Sequence, residues 1–175
     1  MKEIFLLLLG ALATGLLQTI IGFRDRRREA ESILTAIATE VSSICRLIRI
    51  QGYRDTFEEI VRNIDAGEWD GKTAVIEVRQ NYFVVFEALS EKIGYLKPDD
   101  VRQIVHFYAY CRSAIDSTRP DGLMPGNVDA DERIAQIRHL AMIFQAILAL
   151  GDAIALKPKD HQLGQVGSMG LLDAK

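Results

Sequence analysis

The chain has 175 residues, of which 21 are basic and 24 acidic, and its formal net charge is −3. This length provides for one compact domain, and an excess of acids argues against a general nucleic-acid-binding protein. The two cysteines, Cys45 and Cys111, stand in apolar helical contexts without the spacing of metal ligands, which indicates buried thiols in a reducing compartment.

The first element is an uncharged run of twenty residues, Ile4 to Phe23. As a helix it would be about 30 Å long, which matches the hydrocarbon core of a bilayer. Four arginines follow it directly, and we call them the basic collar: Arg24, Arg26, Arg27 and Arg28. Because basic residues favour the cytoplasmic side, we predict a single-pass anchor over residues 1–23 with the rest of the chain in the cytoplasm.

A cleaved signal peptide is the alternative interpretation of this run. Ala11-Leu12-Ala13 has the small-x-small pattern of a cleavage site. Cleavage there would leave an apolar N-terminus followed by arginines, which resists export.

One face of the predicted span carries small and polar residues. Gly10, Thr14 and Gln18 recur every four residues, with Gly15 and Gly22 close beside them. Small residues let helices approach closely, and a glutamine amide in hydrocarbon needs a partner. This face predicts self-association in the bilayer, or the lining of a wet pore; alternatively, a lone span tolerates these residues.

The remainder of the chain is more acidic than the total suggests. From Glu29 onward there are 16 basic and 22 acidic residues, a net charge of −6. We therefore expect the collar to contact anionic lipid and the acidic body to bind a protein partner, and we expect no nucleic-acid partner.

Apolar residues recur every three or four positions from Ile33 to Ile48, and neither Gly nor Pro occurs between Arg24 and Gln51. This pattern predicts that the span continues as one helix to about Gln51 and ends at Gly52.

Four further amphipathic helices are predicted, separated by breaks that contain Gly or Pro. They cover 55–67, opened by the capping-box spacing of Asp55 and Glu58; 73 or 79 to 94; a stretch from Pro98 with Val105 on its inner face; and 129–158, capped by Asp129 with Glu132. The predicted fold is all-α, an N-terminal transmembrane helix continuing into a cytoplasmic antiparallel bundle of about four to five helices over residues 24–158. Residues 159–175 are predicted to form a flexible tail.

Residues 66–73, AGEWDGKT, match a permissive form of the phosphate-binding loop. That chemistry needs a strand before the loop and small residues that let backbone N–H groups surround phosphate. Here a helix precedes the loop, Trp69 lies within it, and Glu68 and Asp70 would repel a triphosphate. We interpret the match as accidental.

Two Arg and His pairs, Arg102 with His106 and Arg133 with His139, resemble the motif of the HEPN helical RNases. Such an RNase needs an imidazole and an arginine converging on one phosphodiester. Arg102 and His106 share a helix face, whereas residues 133 and 139 point about 120° apart. Since the acidic body also repels RNA, we expect no catalytic residues, and we expect neither a metal nor a cofactor. A membrane-tethered RNase is the alternative.

Residues 93–108, IGYLKPDDVRQIVHFY, resemble the helix-turn-helix core of small bacterial inner-membrane proteins that have one N-terminal anchor and mostly unassigned functions. The resemblance implies a location in the bacterial inner membrane and a cytoplasmic helical body, but no activity. A membrane-anchored accessory protein of RNA-targeting CRISPR systems has a similar layout, so a defence accessory protein stays open as an alternative. The predicted function is that of a non-enzymatic oligomeric scaffold, adaptor or pore-forming component.

Overall fold

The computed structural model of the protein describes the backbone of residues 2–74, 81–119 and 129–169, and the side chains of 18–74, 81–119 and 129–158. Within these ranges the chain is helical and contains no β-strand. The elements are α1 (Lys2–Gln51), α2 (Tyr53–Asp65), α3 (Val84–Leu89), a 3₁₀ helix (Ser90–Tyr95), α4 (Pro98–Thr118) and α5 (Ala130–Met169). The predicted all-α fold is confirmed.

Helix α1 is continuous over 50 residues and is about 75 Å long. It ends where predicted, because Gly52 adopts a φ of 66°, a conformation that costs glycine little and other residues more. Its two halves differ in burial: an apolar stripe between residues 33 and 48 is buried, whereas every residue from 18 to 28 is exposed. The first half of α1 therefore projects beyond the bundle.

Helix α2 begins at Tyr53, immediately after Gly52, so the predicted capping box at Asp55 is wrong. The backbone N–H of Thr56 donates to the Gly52 carbonyl at 2.9 Å, which already starts the helix at the glycine. The Glu58 carboxylate instead accepts from Arg54, 2.7 Å away. The turn at Gly52 redirects the chain within one residue and leaves no place for a separate cap.

The third predicted helix is shorter than expected and is divided between α3 and the 3₁₀ helix, while residues 75–80 lie outside the described part. Its start is fixed by Glu40 of α1, whose carboxylate accepts hydrogen bonds from the N–H groups of Val85 (2.7 Å) and Phe86 (3.1 Å). The Tyr108 hydroxyl of α4 donates to the same carboxylate at 2.6 Å. One acidic side chain thus joins α1, α3 and α4.

Helix α4 starts at Pro98, as predicted, and buries one stripe against the rest of the bundle. The stripe includes Phe107 and Ala114, whereas Val105, predicted to face inward, is 44% exposed. Asp100 is also buried and pairs with Lys157 of α5.

Helix α5 begins at Ala130, so Asp129 occupies the predicted N-cap position, and the Arg133 N–H donates to the Asp129 carbonyl at 3.0 Å. It does not stop at Pro158 but continues to Met169, so the predicted end is wrong. The ion pair between Lys157 and Asp100 holds the residue before the proline against α4, in helical geometry. The side chains of the predicted tail, from residue 159, lie outside the described residues.

The core forms around α5, which packs against α1, α2 and α4. Gly151 allows the closest approach, because a Cβ atom there would lie 2.1 Å from Cys45 Sγ and 3.1 Å from Phe107 Cε2. Nearby, the rings of Phe57 and Phe144 stack at 5.3 Å. Residues 58 and 65 of α2 contact residues 145 and 138 of α5, and residues 100 and 107 of α4 contact residues 157 and 151, so both helices run antiparallel to α5. Helix α1 does so too, because its residue 48 lines a cavity with residue 147 whereas its residue 41 lies beside residue 151.

Of the residues whose side chains are described, the stretch with the length and hydropathy of a membrane span is Ala130–Pro158 of α5. Its most apolar window has a mean hydropathy of 1.8 and is 44% buried inside the bundle. The sequence analysis did not anticipate this property of α5. Most side chains of the predicted span, residues 4–17, lie outside the described residues.

Candidate functional site

The first Arg and His pair lies on the exposed surface of α4. Arg102 donates to Asp99 of its own helix at 2.9 Å, and the His106 ring lies 6.3 Å from the ring of Tyr110. Both residues are exposed. Arg102 and His106 share a helix face, as predicted.

The second pair lies near the opposite end of the α4–α5 hairpin. Arg133 is partly buried, and His139 is exposed beside Ser117 in a shallow depression of about 270 Å³. The α4–α5 register places Phe107 beside Gly151, and His139 precedes Gly151 by twelve residues, about 18 Å along the helix. The two pairs are therefore not brought together within one chain.

The loop that resembles a phosphate-binding loop is closed by its own side chains. Trp69 Nε1 donates to the Lys72 carbonyl at 2.9 Å, and Asp70 accepts from both the N–H and the ammonium of Lys72, at 3.0 and 2.7 Å. The lysine that would contact phosphate is thus paired with a carboxylate. These contacts support the interpretation that the match is accidental.

Neither cysteine is placed for catalysis. Burial raises the pKa of Cys45 to about 11 and raises the pKa of Cys111 as well, so both thiols stay protonated at neutral pH. Among the residues whose side chains are described, no three His, Cys, Asp or Glu residues are grouped so that they could hold a metal ion.

A small apolar cavity of about 150 Å³ opens where α1, α4 and α5 meet the residues before α3. Ile48, Phe83, Cys111 and Ile147 are among its walls. Sites for drug-sized ligands usually have volumes of several hundred Å³, so this cavity is too small for such a ligand.

In the projecting half of α1, the residues whose side chains are described before Glu29, 18–28, are exposed. Ile20, Ile21 and Phe23 are 57%, 51% and 70% exposed, and Gln18 is exposed with them. A Cβ atom added at Gly22 would meet nothing within 4 Å. The side chains at positions 10, 14 and 15 of the predicted packing face lie outside the described residues.

The basic collar is also exposed at Arg24, Arg26, Arg27 and Arg28. Arg27 pairs with Glu31 one turn further along α1, at 3.1 Å. The arginines surround the helix, since consecutive positions are about 100° apart.

Helix α5 carries an ion-paired edge that fastens it to α1 and α2. Arg138, Gln145 and Asp152 are seven residues apart and so lie in one row along the helix. Their partners are Asp65 at 2.5 Å, Glu58 at 3.0 Å and Arg49 at 2.7 Å, respectively. This row was not predicted, because its partners are distant in sequence.

A second row on α5 is apolar and faces away from the bundle. We call it the outer face and define it as Met142, Ala149, Ala153 and Leu156. Met142 and Leu156 are 59% and 55% exposed, and both alanines are exposed as well. Exposed apolar residues that form a continuous row indicate a contact surface.

The described residues thus define a class, an all-α bundle whose first helix extends far beyond the body. The chain matches no protein-family model, no curated protein and no solved structure. The two exposed apolar surfaces, the outer face of α5 and the projecting half of α1, are the features that bear on function.

Proposed function

We propose that the protein is a single-pass, membrane-anchored component of a non-enzymatic assembly, whose copies associate through the span and through the outer face of α5. The observation that carries this proposal is the exposed apolar row from Met142 to Leu156, beside an edge whose side chains form two ion pairs and one hydrogen bond with α1 and α2. A continuous exposed apolar row on a helix is typical of a surface that a partner covers.

The anchor itself is supported by the composition and placement of α1. The uncharged run ends at Phe23, the collar follows at once, and the described part of this region is exposed. Exposed isoleucine and phenylalanine side chains are favourable in lipid and unfavourable in water. The one-sided arginines orient the body toward the cytoplasm.

The occupant of the outer face that fits this anchor is a second copy of the chain. Because α5 runs antiparallel to α1, its axis follows the anchor and its outer face points sideways rather than at the bilayer. Copies anchored in one membrane are held parallel and at equal height, so identical faces can meet across a two-fold axis. Together with Ala146, which is partly buried, the residues of the outer face are spaced alternately by four and three positions, as in the seam of a coiled coil.

Crosslinking in mild detergent tests this association. We expect oligomers of the parent chain, loss of them in Met142→Glu with Leu156→Glu, and weakening in Gly10→Leu with Gln18→Leu. The control is Ile50→Glu, which charges a similarly exposed apolar residue of α1 outside the outer face. If the parent is monomeric, the association is excluded and a tethered monomeric adaptor is left. If all variants crosslink as the parent does, neither the span nor the outer face forms the contact between copies.

Extraction with carbonate tests the anchor, and a periplasmic reporter fused to the C-terminus tests the orientation. We expect retention in the membrane and an inactive reporter. Release into the soluble fraction would remove the anchor from the proposal. Conductance measurements in planar bilayers then separate a pore from a scaffold.

Substitution of the histidines separates a binding function from the RNase alternative. We expect His106→Ala and His139→Ala to fold and assemble as the parent does, because both side chains are exposed. RNA cleavage by the purified chain that disappears in either variant, with helicity retained in circular dichroism, would establish the alternative.

A further inference from the structure

A cleft of about 700 Å³ opens at the end of the bundle where α1 begins to project. One wall is α1, with Phe23, Arg26 and Arg27, and the other is the corner between the 3₁₀ helix and α4, with Tyr95 and Lys97. Its size falls within the range of sites that bind small molecules. No part of the proposed function uses it.

The cleft has an excess of positive charge. Of the ion pairs in the described part of the chain, none involves Arg26 or Lys97, and Arg27 shares one pair with Glu31 at 3.1 Å. The remaining acid in the wall, Asp100, is paired with Lys157. Unpaired guanidinium and ammonium groups on facing walls attract a phosphate.

The cleft also lies at the depth of the lipid headgroups if α1 is anchored in a bilayer. Phe23 is the last residue of the uncharged run, and Arg26 follows three residues later, about 4.5 Å further along the helix. If the span fills the hydrocarbon core, Arg26 lies at the level of the lipid phosphates. Tyr95, which is 50% exposed, is an aromatic residue of the kind that lies at that level in membrane proteins.

We propose that this cleft binds one anionic phospholipid, with its phosphate between Arg26 and Lys97 and its acyl chains leaving along Phe23. The corner from Tyr95 to Lys97 is then a second contact of the body with the bilayer. This inference rests on the anchor of the proposed function and adds a defined lipid site to it.

The test uses the full chain in nanodiscs of phosphatidylcholine mixed with phosphatidylglycerol, followed by native mass spectrometry of the retained lipid. We expect one phosphatidylglycerol per chain, retained in preference to phosphatidylcholine. Arg26→Gln or Lys97→Gln should lower this retention about tenfold, the loss expected for one charge-assisted hydrogen bond. Arg24→Gln and Arg28→Gln remove the same charge from collar positions outside the cleft and should change it little.

The outcomes separate this site from simpler explanations. Equal losses in all four variants would show that the collar attracts anionic lipid without a site, and would overturn the proposal. Displacement of the lipid by inorganic phosphate alone would show a site for free anions and would overturn it too. A chain that resists carbonate extraction without preferring phosphatidylglycerol refutes the lipid site alone, whereas a chain released by carbonate refutes the anchor.

Discussion

The two halves of α1 share one unbroken helix but differ in what surrounds them. Between residues 33 and 48, buried side chains recur every three or four positions, and this half of α1 packs mainly against α5. Between residues 18 and 28 every side chain is exposed, including Ile20, Ile21 and Phe23. The backbone geometry of a helix is therefore the same whether it packs in a protein core or projects from it. The distribution of its apolar side chains distinguishes the two environments.

Glycine substitutions should show the largest difference in stability between the two halves of α1. Gly151→Ala places a Cβ atom 2.1 Å from Cys45 Sγ on the buried half of α1, so we expect the free energy of unfolding to fall by about 3 kcal/mol. Gly22→Ala, on the projecting half, meets nothing within 4 Å and should leave the body unchanged. Denaturant unfolding of the detergent-solubilised chain measures both.

A rescue variant tests the physical cause of the Gly151 effect. Cys45→Ala removes the sulfur atom that the new Cβ would contact, so Cys45→Ala with Gly151→Ala should be more stable than Gly151→Ala alone. Additive losses in the double variant would show that the contact with Cys45 is not the cause.

Substitution of Glu40 should give the next largest loss of stability, because its carboxylate accepts hydrogen bonds from two N–H groups and a hydroxyl. Glu40→Ala should cost about 2 kcal/mol, since it leaves partly buried donors without an acceptor. Tyr108→Phe removes one of the three hydrogen bonds and should cost less. If Glu40→Ala unfolds at the denaturant concentration of the parent, α3 is not held by this side chain.

The buried thiol of Cys45 predicts a pH dependence that the projecting half of α1 does not share. Its pKa is raised by burial from an ordinary value of 9.0 to about 11, so the folded chain holds the proton more tightly than the unfolded chain. Stability from this group is complete below pH 9 and is lost as the pH rises toward 11, by about 1 kcal/mol per pH unit. Cys45→Ala should reduce this slope, and an unchanged slope would assign it to other groups.

The exposed ion pair between Arg49 and Asp152 should matter least. The two side chains are 48% and 60% exposed, so Asp152→Asn should change the free energy of unfolding by about 0.5 kcal/mol or less. A loss as large as that of Glu40→Ala would mean that the ion-paired edge of α5, rather than its apolar core, holds α1 in place.

The helices themselves could be predicted where a local signal exists. The end of α1 at Gln51 follows from Gly52, and the start of α4 follows from Pro98. The capping box at Asp55 and the stop at Pro158 failed because tertiary contacts override local preferences, through the turn at Gly52 and the pairing of Lys157 with Asp100.

The sites were harder to predict than the helices. The role of Glu40 depends on Val85 and Tyr108, more than forty residues away, and no local pattern marks it. The outer face of α5 was hidden because apolar residues occupy both the buried side and part of the exposed side of this helix, so its sequence does not separate the two. Three-dimensional packing is needed to tell these two sides apart.

The unbroken course of α1 from Lys2 to Gln51 would have a mechanical consequence in the proposed membrane-anchored chain. A helix without a hinge transmits rotation, so the angular position of the body about the membrane normal is set by that of the span. Each residue inserted within the collar would rotate the body by about 100° and move it about 1.5 Å further from the span. Insertion of seven residues would nearly restore the original angle, whereas insertion of two would turn the body to face the opposite direction.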